Sequence, residues 1–234
     1  MMDRGAFDLL DKLERTWWYR GRSESVRSAL LRTHSVQTEA VLDFGAGFGG
    51  MYDTLARFGT HIDALEPDDE ARVAAKARGY RRVFASDAEV FATHYDLIGL
   101  FDVVEHIERD GDFLVRMREA LKEGGRLAIT VPAFPFLWSI HDVSHGHFRR
   151  YTKASLRAVV EASGYTVEYM SYWNMSLFFP AAALRLLGRS GESAASLPRW
   201  LDNLFFAIVK IESSIMRFVP FPFGTGLVVI ARRK

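Results

Sequence analysis

An α/β fold with a largely parallel sheet and helices on both faces is what the 234-residue sequence predicts, and three observations carry it. Strand-like and helix-like stretches alternate along the chain, the pattern that builds parallel sheets through crossover helices. Residues of apolar or strand-favouring character run into Asp43, and Gly45-Ala46-Gly47-Phe48-Gly49-Gly50 follow, with a helical pattern after them. Residues 96–101 form a nearly continuous apolar run that suits a central strand buried on both faces.

Composition narrows the function. Hydrophobic residues make up 49% of the chain, which excludes disorder and allows one domain with a sizeable core plus an elaboration. The 30 basic and 29 acidic residues leave a net charge of +1, no footprint for gripping nucleic acid. Without cysteine there is no disulfide, thiolate nucleophile or Cys-based metal site. The opening MMDRGAFDLLDKLE lacks the apolar core of a signal peptide, so a cytoplasmic chain is expected.

The elements follow in order. Phe7, Leu10, Leu13 and Trp17 fall at helical spacing, which predicts a first helix ending near Gly21 and a second, N-capped by Ser23, through Leu31. The dense run Trp17, Trp18, Tyr19, Arg20, Gly21, Arg22 either staples this helix end to the core or lines a site. Residues 51–58 should be helical with Gly59 as the stop, and 61–66 a second strand. Glu66 closes that strand just before Pro67. A carboxylate there, about twenty residues past the glycines, can offer both oxygens to the two hydroxyls of a ribose. A helix is expected over 68–78, then a short strand over 82–85. Asp87 follows it, to meet an adenine amino group or to N-cap a turn over 89–92. Residues 110–121 read as a helix ended by Gly124 and Gly125, 126–131 as a fifth strand, 156–162 as a helix capped near Thr152, 165–171 as a sixth strand and 226–231 as a last one.

The glycine turn by itself leaves its ligand open. Gly45, Gly47 and Gly50 satisfy the G-x-G-x-x-G of dinucleotide binders, whereas Asp43 with Gly45, Gly47 and Gly49 satisfies the acidic-x-G-x-G-x-G of proteins that bind S-adenosylmethionine. The ordered set decides: VLDFGAGFG, Glu66 after one strand, Asp87 after the next and YDLIGLFDVVEHI after the fourth resembles the class I S-adenosylmethionine-dependent methyltransferases, especially the type 11 group. The resemblance spans residues 41–172 and 225–232, and WWYRGR is similar to this group as well.

It implies a Rossmann-like, seven-stranded, mostly parallel sheet whose last strand inserts antiparallel beside the fifth. It also implies an N-terminal helical cap (1–39), a cofactor-binding core (40–172), a helical insertion (173–224) and a final core strand (225–234). By the same resemblance, Gly45, Ala46, Gly47 and Gly49 wrap the methionine and ribose portion, Glu66 and Pro67 hold the ribose, and Asp87 and Ala88 meet the adenine. Asp43 fixes the loop, and Phe101 and Asp102 floor the pocket near the sulfonium. The implied reaction is methyl transfer from S-adenosylmethionine, leaving S-adenosylhomocysteine, to a small apolar or lipid-linked acceptor, with oxygen the first choice by analogy. Two rivals remain. One is a non-catalytic cofactor-binding or scaffold protein. The other is an NAD-dependent oxidoreductase, against which the chain has no Tyr-x-x-x-Lys pair.

Two segments exceed the core. Residues 133–151 leave the fifth strand at the edge where open α/β sheets bind ligands. They carry Trp138, His141, Asp142, His145, His147, Arg149, Arg150 and Tyr151. No second cluster of carboxylates or cysteines is evident to complete a metal site around HDVSHGH, so no metal is expected. His106, His141, His145 and His147 are the candidates for a general base, since imidazole titrates near neutrality. Trp17, Trp18, Tyr19, Arg20, Arg22, Trp138, Arg149, Arg150 and Tyr151 are candidates for the acceptor side, with Arg149 and Arg150 alternatively tying the loop down.

The insertion places Leu201, Leu204, Phe205, Ile208, Ile211, Ile215 and Val219 on one helical side, with Asn203, Lys210, Ser214 and Arg217 opposite. No run reaches the length of a membrane span. The apolar side needs cover from the core, a second copy in a homodimer, a bilayer surface contacted peripherally, or the acceptor.

Overall fold

The computed structural model describes residues 16–33, 37–186 and 197–234; the helix expected from Phe7, Leu10 and Leu13 lies outside them. Helix α1 (Trp17–Thr33) leads into β1 (Thr38–Phe44), α2 (Tyr52–Leu55), β2 (Gly59–Leu65), α3 (Asp69–Arg78), β3 (Val83–Phe84), α4 (Asp87–Val90) and β4 (Tyr95–Phe101). After a 3-10 turn (Val104–His106) come α5 (Asp110–Ala120), β5 (Leu121–Pro132), a second 3-10 turn (Pro135–Leu137), α6 (Ile140–Ser144), α7 (Lys153–Ala162) and β6 (Tyr165–Trp173). Helices α8 (Phe178–Leu186) and α9 (Arg199–Met216) precede β7 (Gly226–Arg233).

The strands form one seven-stranded sheet in the order β3-β2-β1-β4-β5-β7-β6. β7 runs antiparallel to both neighbours, and the pairs among β1 to β5 are parallel. The parallel register sets the C-terminal ends of β1, β2 and β4 side by side, Phe44 opposite Leu65 and Leu100. The interior strands are buried without interruption, Leu97, Ile98, Leu100, Leu127, Ala128 and Ile129 all at 0% exposure, as a sheet covered on both faces requires.

Several boundaries differ from expectation for identifiable reasons. α1 runs unbroken through Gly21 and Ser23. A Cβ on Gly21 would stand 2.7 Å from Val209 Cγ1, so this glycine permits a close helix crossing and stops nothing. Ser23 turns back to donate to Tyr19 O at 3.1 Å and caps no helix. Only residues 52–55 of the expected 51–58 are α-helical, and Gly59 opens β2, paired with Thr38. Gly124 and Gly125 lie within β5, where the register with β4 shifts between Tyr95 and Leu97, the local irregularity glycine accommodates. Thr152 caps α7 as expected, accepting from Ser155 N.

The insertion packs through another face than its apolar spacing suggests. α9 buries Val209, Glu212, Ser213 and Met216 while Leu204, Ile211, Ile215 and Val219 stay exposed. Polar pairing against α1 sets that face. Ser213 meets Ser25 at 3.0 Å. Asp202 accepts from Trp17 N and Arg20 Nη2, each at 2.8 Å. Arg20 lies 4.1 Å over the Phe206 ring. α8 packs elsewhere, Phe178 and Ala182 closing over Leu137 in a small second core.

Candidate active site

The glycine turn emerges from β1 with Gly45, Gly47 and Gly49 all at positive φ (74°, 54° and 86°). The N–H groups of Gly45 and Ala46 donate to Leu65 O at 2.8 and 3.0 Å, which pins the turn to β2. Gly47 N donates to Glu66 Oε2 at 2.8 Å, and Asp68 N to Glu66 Oε1 at 2.9 Å. Glu66 is thereby oriented by backbone, and each oxygen keeps a lone pair for a further donor. Asp43, 1% exposed, accepts from the Tyr80 hydroxyl, which fits its expected loop-fixing role. A Cβ on Gly47 would meet nothing within 4 Å, so the turn opens towards the space a ligand takes.

Asp87 lies at the start of α4, after Ser86 in the N-cap position, and its carboxylate pairs with Arg116 at 2.8 Å. Pro67 and Ala88 flank the same edge as part of the β2 and β3 exits. Phe101 is 5% exposed and packs into the core. Asp102 takes φ 57°, accepts from Thr130 Oγ1 at 3.0 Å and from Arg22 Nη1 at 2.6 Å. Burial works against the Arg22 cation, but Asp102 beside it outweighs that and raises its pKa. Trp18 packs on Trp173 at 5.4 Å and on Tyr19 at 5.1 Å. A cleft of about 270 Å³ with Tyr19, Arg22, Gly50 and Asp53 among its walls abuts the glycine turn. Of the WWYRGR residues, Tyr19, Arg20 and Arg22 line this cleft, Trp17 and Arg20 also dock α9 through Asp202, and Trp18 packs on Trp173.

Among the described residues three non-glycines have positive φ: Asp102, Phe134 and Asn174. They follow β4, β5 and β6, which run the same way, so all three lie at one edge of the sheet. Strained backbone concentrated there marks an edge over-determined for binding. Phe134 stacks on Tyr172 at 4.7 Å and meets Phe178 at 5.6 Å, which gives this side an aromatic wall.

The segment after β5 brings the imidazoles in. Ser139 and Asp142 form a capping box at α6. Asp142, 0% exposed, accepts from Arg150 Nε at 2.8 Å, Arg150 Nη2 at 3.0 Å and His147 Nδ1 at 2.9 Å. Burial alone would raise its carboxyl, but these donors hold it well below the usual carboxylate range. Phe148 N donates to Glu105 O at 2.8 Å, Arg149 pairs with Asp110 at 3.0 Å, and Tyr151 Oη donates to Asp110 at 2.7 Å. Arg149 and Tyr151 therefore strap the loop to Asp110 at the start of α5, while Arg150 ties Asp142 and Ala133 O together within the loop. These contacts are of the kind that the loop-tying alternative for Arg149 and Arg150 describes. Trp138 is exposed and keeps its place at the loop surface.

The four histidines cluster, with the His147 ring 6.4 Å from His141 and 6.1 Å from His145. His141 and His145 stack on each other at 3.9 Å on the outer face of the loop; burial, His145 and Arg185 lower the His141 pKa to about 4. His106 meets His147 edge-on at 4.6 Å, and burial and that neighbour lower its pKa. His147 is the one of the four with a carboxylate on Nδ1 among the described residues, which fixes its tautomer and leaves Nε2 as a proton acceptor.

Two residues of this site escaped the sequence reading. Asp142 was visible in HDVSHGH, but its role follows from the fold that brings Arg150 and His147 onto it. Glu105, adjacent to His106, is 1% exposed with both carboxylate oxygens unpartnered, and burial followed by Asp102 pushes its pKa well above the ordinary value. Glu105, His106 and His147 each offer a ligand-type atom within 4.8 Å of the others. No metal was expected from HDVSHGH alone; the fold adds Glu105 to it.

A profile described as a methyltransferase domain matches residues 17–169, well over half of the chain. The mitochondrial ubiquinone biosynthesis O-methyltransferase of Schizosaccharomyces pombe is 26% identical over 145 residues, 53% of each chain. The chain spans about half the length of the curated relatives it matches. The fold is shared with an S-adenosylmethionine-dependent methyltransferase from Archaeoglobus fulgidus (TM-score 0.56, 15% identity, 90% of this chain and 94% of that one). It is shared also with N-methyltransferase NodS from Bradyrhizobium japonicum WM9 in complex with S-adenosyl-L-homocysteine (TM-score 0.55, 14% identity, 91% and 85%). With a methyltransferase-domain profile matched over residues 17–169, the chain belongs to the methyltransferase domain family.

Proposed function

We propose that this protein methylates a hydroxyl of a small, apolar or lipid-linked acceptor, with His147 as general base. The observation that carries the reading is the buried Asp142 holding His147 Nδ1 at 2.9 Å at the sheet edge where Asp102 is strained. S-adenosylmethionine, when bound, supplies an electrophilic methyl and its own leaving group. The glycine turn and Glu66 hold its ribose end, and Asp87 and Ala88 its adenine. His147 Nε2 takes the acceptor's hydroxyl proton, and Asp142 keeps the imidazole oriented and stabilises the imidazolium. Trp18, Trp173, Phe134 and Tyr172 exclude water and bind an apolar ring.

In this reading residues 40–172 hold the cofactor, the cap (1–39) and the insertion (173–224) cover the acceptor, and 225–234 completes the sheet. No described helix is long and apolar enough to cross a membrane. We place the chain in the cytoplasm, meeting a membrane surface or a second copy through 173–224. The ubiquinone biosynthesis relatives make a hydroxyl-bearing ubiquinone precursor the first acceptor to assay.

The test is thermal stability with S-adenosylmethionine, S-adenosylhomocysteine and NADH, followed by methyl transfer to that acceptor. The two sulfur ligands should stabilise, by about 2.7 kcal/mol at a hundred times their Kd, and NADH should not. His147→Ala should lower kcat by about 100-fold or more. A shift with NADH alone would revive the oxidoreductase, and full turnover in His147→Ala would remove the base.

A further inference from the structure

The face of α9 that the fold leaves bare is ordered by chemistry. Trp200, Leu204, Ala207, Ile211 and Ile215 recur at intervals of three and four, so they form one stripe along the helix, and Phe218 and Val219 extend it past the C-terminus. Trp200, Ile211 and Phe218 are 69%, 63% and 71% exposed. A stripe of this size on an outward helix face needs an apolar neighbour. Arg199, Lys210 and Arg217, spaced by eleven and seven residues, line one border of it, and Arg32 joins them by donating to Arg217 O at 2.7 Å and Phe218 O at 3.2 Å. Both carboxylates of α9 point the other way: Asp202 pairs with Arg20 at 2.8 Å, and Glu212, 6% exposed, accepts from Ser176 N.

We infer that α9 docks this protein on the surface of an anionic phospholipid bilayer, with its axis in the membrane plane, the stripe in the acyl boundary and the basic border at the headgroups. The inference rests on the membrane contact in the proposed function and commits it to one helix and one lipid charge. The charge pattern of α9 favours the bilayer over a second copy of the chain. Antiparallel two-fold pairing through the stripe would set two basic rows along the same edge, and α9 presents no outward carboxylate to meet them. An anionic headgroup layer neutralises that border while the acyl boundary covers the stripe. Lys and Arg beside a buried aromatic stripe is also how interfacial helices hold their depth.

The test uses the full chain in flotation with vesicles of phosphatidylcholine alone and of phosphatidylcholine with phosphatidylglycerol in a two-to-one ratio. Binding is expected only to the anionic vesicles, weakening as salt is raised. Leu204→Gln/Ile211→Gln/Ile215→Gln should weaken it tenfold or more. Arg199→Glu/Lys210→Glu should abolish the preference for phosphatidylglycerol. Both variants alter exposed side chains, so both should keep the melting-temperature rise with S-adenosylhomocysteine. No vesicle binding by a wild-type chain that does respond to S-adenosylhomocysteine would overturn the docking and leave the methyltransferase reading intact. Lack of that response in wild type would sink the enzymatic reading without touching the docking. Unchanged binding in the stripe variant, or a wild-type dimer in sedimentation equilibrium that the stripe variant dissolves, would also overturn it.

Discussion

The two halves of the sheet's working edge hold their chemistry by different means. Beside β1 and β2 the groups that bind are mostly backbone: N–H donors of Gly45, Ala46 and Gly47 are committed to Leu65 O and Glu66, and one carboxylate is oriented by two amides. Beside β5 and β6 the groups are side chains gathered from distant positions, with Glu105, Asp142, His147 and Arg150 meeting because the loop folds back onto α5. A backbone cradle is written into a short contiguous motif, whereas a side-chain hub depends on how a loop packs. In the function proposed above, the first half serves the cofactor and the second the acceptor.

Substitutions should separate the two halves, and the largest effect falls on the second. Arg150→Ala strips two hydrogen bonds from a carboxylate with no exposure and leaves a buried charge short of its partner. It should cost about 3–5 kcal/mol of stability, read as a fall in Tm. The sign with pH follows from Asp142. Its folded pKa is depressed, so its contribution is present above the ordinary carboxylate value and lost as pH falls below about 4. The gap between wild type and Arg150→Ala should narrow there.

Gly47→Val comes next. The position has φ 54° and opens towards the ligand, so a branched side chain should weaken S-adenosylhomocysteine binding by about 100-fold, near 2.7 kcal/mol, while the hub on the other half stays intact. Gly21→Ala adds a methyl 2.7 Å from Val209. Overpacking of about 1–3 kcal/mol should exceed the helix-propensity gain of about 1 kcal/mol and give a small net fall in Tm, without change in cofactor affinity. A rise in Tm would mean α9 moves away freely.

Glu105→Gln sharpens the acceptor half by pH alone. The Glu105 carboxyl has a raised folded pKa, so its favourable contribution is fully present below the unfolded value and is lost as pH rises through the folded one. The variant should therefore gain Tm over wild type at neutral pH and show no gain in acid.

The parts read correctly from sequence follow the same division. The parallel core, the positive-φ glycines and Glu66 at the exit of β2 are local: strand, turn and helix N-terminus sit within one stretch of chain. Asp142 and Glu105 are non-local, and no periodicity announces that Arg150 faces inward. Gly21 misled for a related reason, because a glycine in a helix reads as a stop unless the crossing partner, Val209 on α9, is known. α9 misled most. Its strongest apolar stripe faces outward, and a face of Ser213, Glu212 and Val209 packs inward, since polar pairing with α1 and the space at Gly21 outweigh hydrophobic spacing in choosing the contact.

The division of labour rests most directly on the Kd for S-adenosylhomocysteine, measured by calorimetry on wild type, Gly47→Val and His147→Ala. The two halves predict a loss of about 100-fold in Gly47→Val and wild-type affinity in His147→Ala. Equal losses in both variants, or wild-type affinity in Gly47→Val, would contradict it.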